Sequence, residues 1–295
     1  MTGTSLAPAG WYADPADHGG PLRYWDGERW TAWQALDGVV AVRPLSPDGM
    51  AAAWEARRDH RAPWPGPAAA LALLALLGSG LLAFACVAIG SAVGLDGLVA
   101  ELVLSSVGLY AGLLATCMAV QRRWGTEHGF RKDFGLEYRR GDWWRGLLGA
   151  LAAKGLGVAV TIVLVLLFVD ELSNTTIELD AETWGWAALV VFAVMALVMA
   201  PFVEEVFFRG LLQRSLETVL PAWAAIAVQG TAFGLAHATV DLGVANLLIV
   251  VPIGVGGMTL GYLAHRYHRL GPGIASHAFF NVVAVVALAV QLAFD

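Results

Sequence analysis

Charge is scarce in this chain. Only 14% of its 295 residues are Asp, Glu, Lys or Arg, while 58% are apolar; a soluble domain carries about 25% charge. A single soluble domain is excluded on that ground, and so is disorder, which requires low hydrophobicity with high net charge. Cysteine is nearly absent. Cys86 and Cys117 both lie in apolar runs, offer no CxxC spacing or disulfide framework, and read as small core residues. Basic charge is thin as well: the net charge is −6 and no dense basic stripe occurs, which disfavours a nucleic-acid partner. The opening residues carry neither a basic n-region nor an apolar h-region, so no cleavable signal peptide is expected and residues 1–66 are expected to stay in the cytoplasm.

What the chain has instead is a series of apolar runs of roughly 20 residues, the length that crosses a hydrocarbon core. They begin after Pro67 and are read at about 68–93, 98–120, 146–169, 186–210, 221–240, 244–264 and 273–294. The expected fold class is an all-α polytopic membrane protein of about seven transmembrane helices with a small aromatic β-rich N-terminal domain. The division expected is a β domain at 1–35, a linker at 36–66 and a transmembrane domain at 67–295.

The N-terminal zone holds Trp11, Tyr12, Tyr24, Trp25, Trp30 and Trp33, separated by the turn formers Asp14-Pro15, Gly19-Gly20-Pro21 and Asp26-Gly27. Aromatics between such turns predict a two- or three-stranded sheet. Gly10 to Pro15 and Arg23 to Thr31 resemble the pattern GWYxDP…RYWDGxxWT of a tryptophan-rich domain of unknown function common in actinobacterial membrane and secreted proteins. That resemblance implies no activity, and the aromatics are read as holding the sheet together.

Basic residues orient the spans. Seven Lys and Arg lie between the second and third runs, with Arg209, Arg214, Arg266 and Arg269 at two further connections. Loop 170–185 is acidic instead. By the positive-inside rule the N-terminus is expected inside and the C-terminus outside. Trp124, Trp143 and Trp144 beside the basic loop suit a segment lying against anionic lipid. Lys154, about two turns into its run, is read as snorkelling to the inner face.

Charge inside a span marks a site unless it is explained otherwise. Glu204 and Glu205 stand side by side in the fourth run. Neighbouring helical positions differ by about 100°, so the two cannot face one partner equally. Glu205 and Arg209 are spaced i, i+4 in the favoured ion-pair order, which leaves Glu204 to find a partner on another helix. His237, and His277 with Asn281 at i, i+4, are the candidates. Glu204 and His237 lie symmetrically about Leu220-Pro221, which predicts that they sit at one height in a helix hairpin. Phe233 shares the face of His237, and Gly230/Gly234 and Gly257/Gly261 would let helices approach closely. One conflict stands: His277 begins its run near the inner face, whereas His237 comes late in its own. Either the 205–236 hairpin projects into the cytoplasm or the last run starts further out.

EEVFFR (Glu204, Glu205, Arg209), FGLAH (Phe233, His237) and HAFFN (His277, Asn281) resemble the motifs EExxxR, FxxxH and HxxxN of the CPBP intramembrane proteases, the group that contains CAAX prenyl endopeptidases and bacteriocin-processing enzymes. The likeness covers about residues 185–290. It implies hydrolysis of a peptide bond in a helical chamber open to the cytoplasm, with a peptide or protein substrate at the bilayer. Peptide hydrolysis needs a base for water and donors for the developing oxyanion. Glu204 suits the first role, His237 could orient the water, and His277 and Asn281 could hold the oxyanion. A zinc set of Glu204, His237 and His277 is the alternative. No HExxH occurs and the ligands would come from three helices, so metal-free chemistry is favoured. His265 and His268 are read as solvated, and His18, His60 and His128 show no metal spacing. Competing functions are a non-catalytic scaffold or bacteriocin-immunity protein using the polar cluster structurally, and a proton transporter. The outer halves of the last three runs offer few polar groups for a transport path.

Overall fold

A computed structural model of the chain describes residues 8–15, 21–26, 30–42, 62–168 and 184–294. The expected acidic loop 170–185 lies almost wholly outside the described residues, as do His18 and His60. The N-terminal zone folds as an antiparallel sheet in the order β1 (Gly10–Ala13), β2 (Leu22–Trp25), β3 (Trp30–Leu36) and β4 (Val39–Val42). Four strands form, not two or three. Asp37 (φ 53°) and Gly38 (φ 80°) both take left-handed backbone, which makes the tight turn that pairs Leu36 with Val39. On the buried side Asp14 accepts from Arg23 Nε at 2.8 Å and from Gln34 Nε2 at 2.7 Å, tying three strands by one carboxylate.

The remainder is helical: α1 (Ala68–Ala92), α2 (Leu98–Trp124), the short α3 (Gly129–Asp133), α4 (Asp142–Leu167), α5 (Trp186–Leu216), α6 (Ala222–Leu235), α7 (Leu247–Tyr267) and α8 (Gly271–Phe294). Six spans among the described residues are long and apolar enough to cross a bilayer. The fifth apolar run, read at 221–240, makes only the 14-residue α6. At 1.5 Å per residue it reaches about 21 Å, short of a hydrocarbon core of about 30 Å. The chain turns after Leu235, and Asn246 closes the following loop by bonding both the N–H and the C=O of Thr239. This short helix removes the conflict over depth: His237 follows its end part-way through the bundle.

The basic segments gather at one end. Arg214 donates to Asp133 O and His268 O, Leu270 N donates to Gly135 O, and Arg269 donates twice to the fully buried Asp142. Trp64, from the stretch read as linker, is 1% exposed and packs on Phe134 at this end, with ring centroids 4.5 Å apart.

The helix pairs are held in two ways. Gly108 of α2 meets the backbone of α1, where an added Cβ would stand 2.6 Å from Ala83 Cα. Along α5 and α7 the contact is polar. Arg209 Nη2 donates to Gly257 O, Gln213 Nε2 donates to Gly261 O, and His265 Nδ1 lies 3.2 Å from Glu217 Oε1. Each rung joins residues 48 apart in sequence, so α5 and α7 run parallel in a fixed register.

Candidate active site

Glu204 and Glu205 stand where α5 changes register. Residues Met195–Met199 and Glu205–Gln213 are π-helical, with five α-helical residues between them. Short π segments arise where the ordinary ladder is interrupted, frequently at functional sites. The interruption here is Pro201. Continued one step, the first π register would bond the N–H of residue 201 to Ala196 O, and proline has no N–H. Asn281 Nδ2 supplies the missing donor to Ala196 O at 2.7 Å. Thus Asn281, expected only at the oxyanion, first repairs the helix that carries the carboxylates, and keeps its second amide N–H.

The two glutamates divide as their spacing requires. Glu205 is fully buried, and its Oε1 accepts from Arg209 Nη1 at 2.8 Å and from His277 Nδ1 at 3.1 Å. The link to His277 was not legible from the i, i+4 pair with Arg209. Gly273, four residues before His277, makes room: a Cβ there would lie 2.9 Å from Glu205 Oε2. Glu204 is 8% exposed, and its Oε2 has no hydrogen-bond partner among the described residues. His277 Nε2 lies 3.9 Å from that oxygen. The expected neighbour of Glu204 was His237. Both line one cavity, but the contact at ion-pair distance belongs to His277.

Phe233 is the hub of the arrangement. Its carbonyl accepts from His237 Nδ1 at 2.8 Å, and its ring centroid lies 4.9 Å from His237, 5.7 Å from His277 and 4.5 Å from Arg209 Cζ. A carbonyl only accepts, so His237 carries its proton on Nδ1 and keeps Nε2 uncommitted. The carboxylate of Glu205 likewise fixes a proton on His277 Nδ1.

A cavity of about 530 Å³ opens beside Glu204, His237, His277 and Asn281. Two of its walls come from α2 and α4 and contribute Tyr110 and Lys154. The Lys154 ammonium sits 3.7 Å from the centroid of Phe280, which lies on α8 three residues past His277. Lys154 was expected to snorkel away from the interior; its place on the cavity wall corrects that reading. The signal was present, since a lysine within a span marks a site by default.

No three His, Cys, Asp or Glu side chains among the described residues are grouped so as to hold a metal ion, the set Glu204, His237 and His277 included. His265 is not simply solvated but closes the α5–α7 ladder against Glu217.

Residues 186–283 match the family described as type II CAAX prenyl endopeptidase Rce1-like, and residues 9–37 match a family of proteins of unknown function, DUF2510. No curated protein and no solved structure matches. The first match runs from the start of α5 into α8 and takes in all seven motif residues from Glu204 to Asn281. It supports a CAAX-type intramembrane protease at the level of the family. Tyr110 and Lys154 lie outside it.

Proposed function

We propose that the chain is an intramembrane endopeptidase that cleaves a membrane-associated or secreted peptide, with Glu204 activating the attacking water. The observation that carries this reading is Glu204 Oε2: buried, without a hydrogen-bond partner among the described residues, and on the wall of the cavity. An uncompensated carboxylate oxygen in apolar surroundings is costly and persists where function requires it. Its neighbour Glu205 differs in place: Arg209 and His277 hold its Oε1, and its Oε2, also without a hydrogen-bond partner among the described residues, lies against Gly273 rather than on the cavity wall.

The roles follow from the donors and acceptors left over. Water donates one hydrogen to Glu204 and the other to His237 Nε2, which orients a lone pair at the substrate carbonyl carbon. As the new C–O bond forms, Glu204 takes the proton and the carbonyl oxygen becomes an oxyanion. His277, as the imidazolium, donates to that oxyanion from Nε2 while Glu205 at Nδ1 offsets its charge. The spare N–H of Asn281 is the second donor. Collapse of the tetrahedral intermediate breaks the C–N bond, and Glu204 returns the proton to the leaving nitrogen. In this reading the end where the basic segments cluster faces the cytoplasm, as the positive-inside rule expects.

The test compares membranes of cells making wild type or Glu204→Gln, with peptides profiled by mass spectrometry. The variant is expected to fold and to lose processing by roughly 10²–10⁴-fold, the scale of a missing general base. Identical profiles, with both proteins present and folded, would overturn the proposal. A chelator arm on the wild type reads metal dependence separately.

A further inference from the structure

The cavity carries a positive charge that the proposed hydrolysis does not use. Lys154 lines its wall, half-buried, and its ammonium is held over the Phe280 ring at 3.7 Å. No carboxylate lies within ion-pair distance of it among the described residues; His277 and Asn281 of the site flank Phe280 in sequence on α8. An aromatic face attracts a cation but leaves the ammonium's hydrogen-bonding capacity unused, because its three donors find no oxygen or nitrogen acceptor in the ring. Leu102, Phe192, Ile253 and Leu260 line the same space, with Glu204 and the site histidines also on its wall. A cation so placed strongly favours an anionic ligand, since low dielectric strengthens the attraction. A neutral peptide would leave it unmatched.

Resting on the hydrolytic reading above, we infer that Lys154 is a specificity residue that binds a carboxylate of the substrate. The carboxylate seats on the ammonium beside Phe280, about one helical turn along α8 from His277, and so sets which peptide bond lies against Glu204. Position supports this division of labour. The acid, base and oxyanion candidates all come from the segment that matches the family, whereas Lys154 comes from α4, outside it. The shared machinery does the chemistry, and the added wall selects the substrate.

Two sources could provide the anion, the free C-terminus of a peptide or an acidic side chain. The experiment separates them with three pools of apolar decapeptides: one with free C-terminal carboxylates, one C-terminally amidated, and one amidated with a single internal Asp. Each is incubated with full-length protein in lipid nanodiscs. Wild type is expected to prefer one carboxylate-bearing pool over the amidated apolar pool by roughly tenfold to a hundredfold in kcat/KM, the scale of a charge-assisted hydrogen bond. Lys154→Gln is expected to bring that ratio to about one, and Lys154→Arg to keep most of it. A wild type without preference, a Lys154→Gln that retains it, or equal losses on all pools would each overturn the inference.

A second readout does not need turnover. A benzophenone-bearing tripeptide acid and its amide are photo-crosslinked to Glu204→Gln protein with and without Lys154→Gln. Preferential labelling by the acid, lost with Lys154, supports carboxylate binding at a C-terminus; an amidated tripeptide bearing Asp, compared with its Asn counterpart, tests the side-chain source in the same way, and equal labelling within both pairs overturns the inference. If the acid labels preferentially while wild type cleaves nothing, the hydrolytic proposal fails and the carboxylate site stands.

Discussion

The α1–α2 hairpin and the α5–α7 pair are both apolar helix pairs, yet they are joined by different physics. The hydropathic windows of α1 and α2 bury only 11% of their residues, against 33% for α5 and 39% for the span containing α7. In the hairpin, close approach comes from small residues: Gly108 and Gly112 of α2 press on Ala83 and Ser79 of α1. Lipid tails are as apolar as leucine, so such a pair is held by packing at short range. In the α5–α7 pair, Arg209 and Gln213 hydrogen-bond backbone carbonyls of α7, and Glu205 and Glu217 complete the row. Polar groups in hydrocarbon seek partners internally, and the row that pairs most of these, Glu205 Oε2, Arg209 Nε and Gln213 Oε1 excepted, also carries Glu204. The outer hairpin is a wall; the inner pair is a frame for chemistry.

Three substitutions probe that division, from the largest expected effect to the smallest. Arg209→Met removes the counter-ion of a fully buried carboxylate and is expected to destabilise by about 3–5 kcal/mol, read as a lowered unfolding temperature in detergent. A variant as stable as wild type would mean that the polar row does not hold the inner pair. Gly108→Ala sets a methyl group against Ala83 backbone, and is expected to cost about 1–3 kcal/mol from overpacking while the Glu204 chemistry persists. Loss of processing in a folded Gly108→Ala protein would show the wall and the frame to be coupled. Leu81→Ala, at a 71% exposed position of α1, is expected to change stability by about 0.5 kcal/mol or less. A large loss would reveal a protein contact on a face taken here to meet lipid.

Much of the site was legible because helix geometry is periodic. The 100° step between neighbours separated Glu204 from Glu205, i, i+4 spacing joined Glu205 to Arg209, and the three motifs fell on one cavity. The parts that escaped depend on local interruptions. Pro201 shifts α5 into a π register, and nothing in the spacing of Asn281 shows that it must mend Ala196 O. Hydropathy alone read α6 as a full span, since residues after Leu235 remain apolar although the backbone turns. At the N-terminus the Asp37-Gly38 turn followed by Val39-Val40 carried the signal of a fourth strand, of the same kind as Asp26-Gly27, yet fell in a stretch read as linker. Lys154 was judged by its distance from the span end, when the aromatic ring three residues past His277 decides its place.

The constant 48-residue offset between α5 and α7 has a mechanical meaning. A slip of one helix past the other by a turn would strip Arg209 and Gln213 of their acceptors together, so intermediate displacements gain nothing and the pair behaves as a rigid beam. The cavity walls that carry Tyr110 and Lys154 come from α2 and α4, outside that beam, and α4 is itself packed closely on α8 and α7 through Gly146 and Gly149.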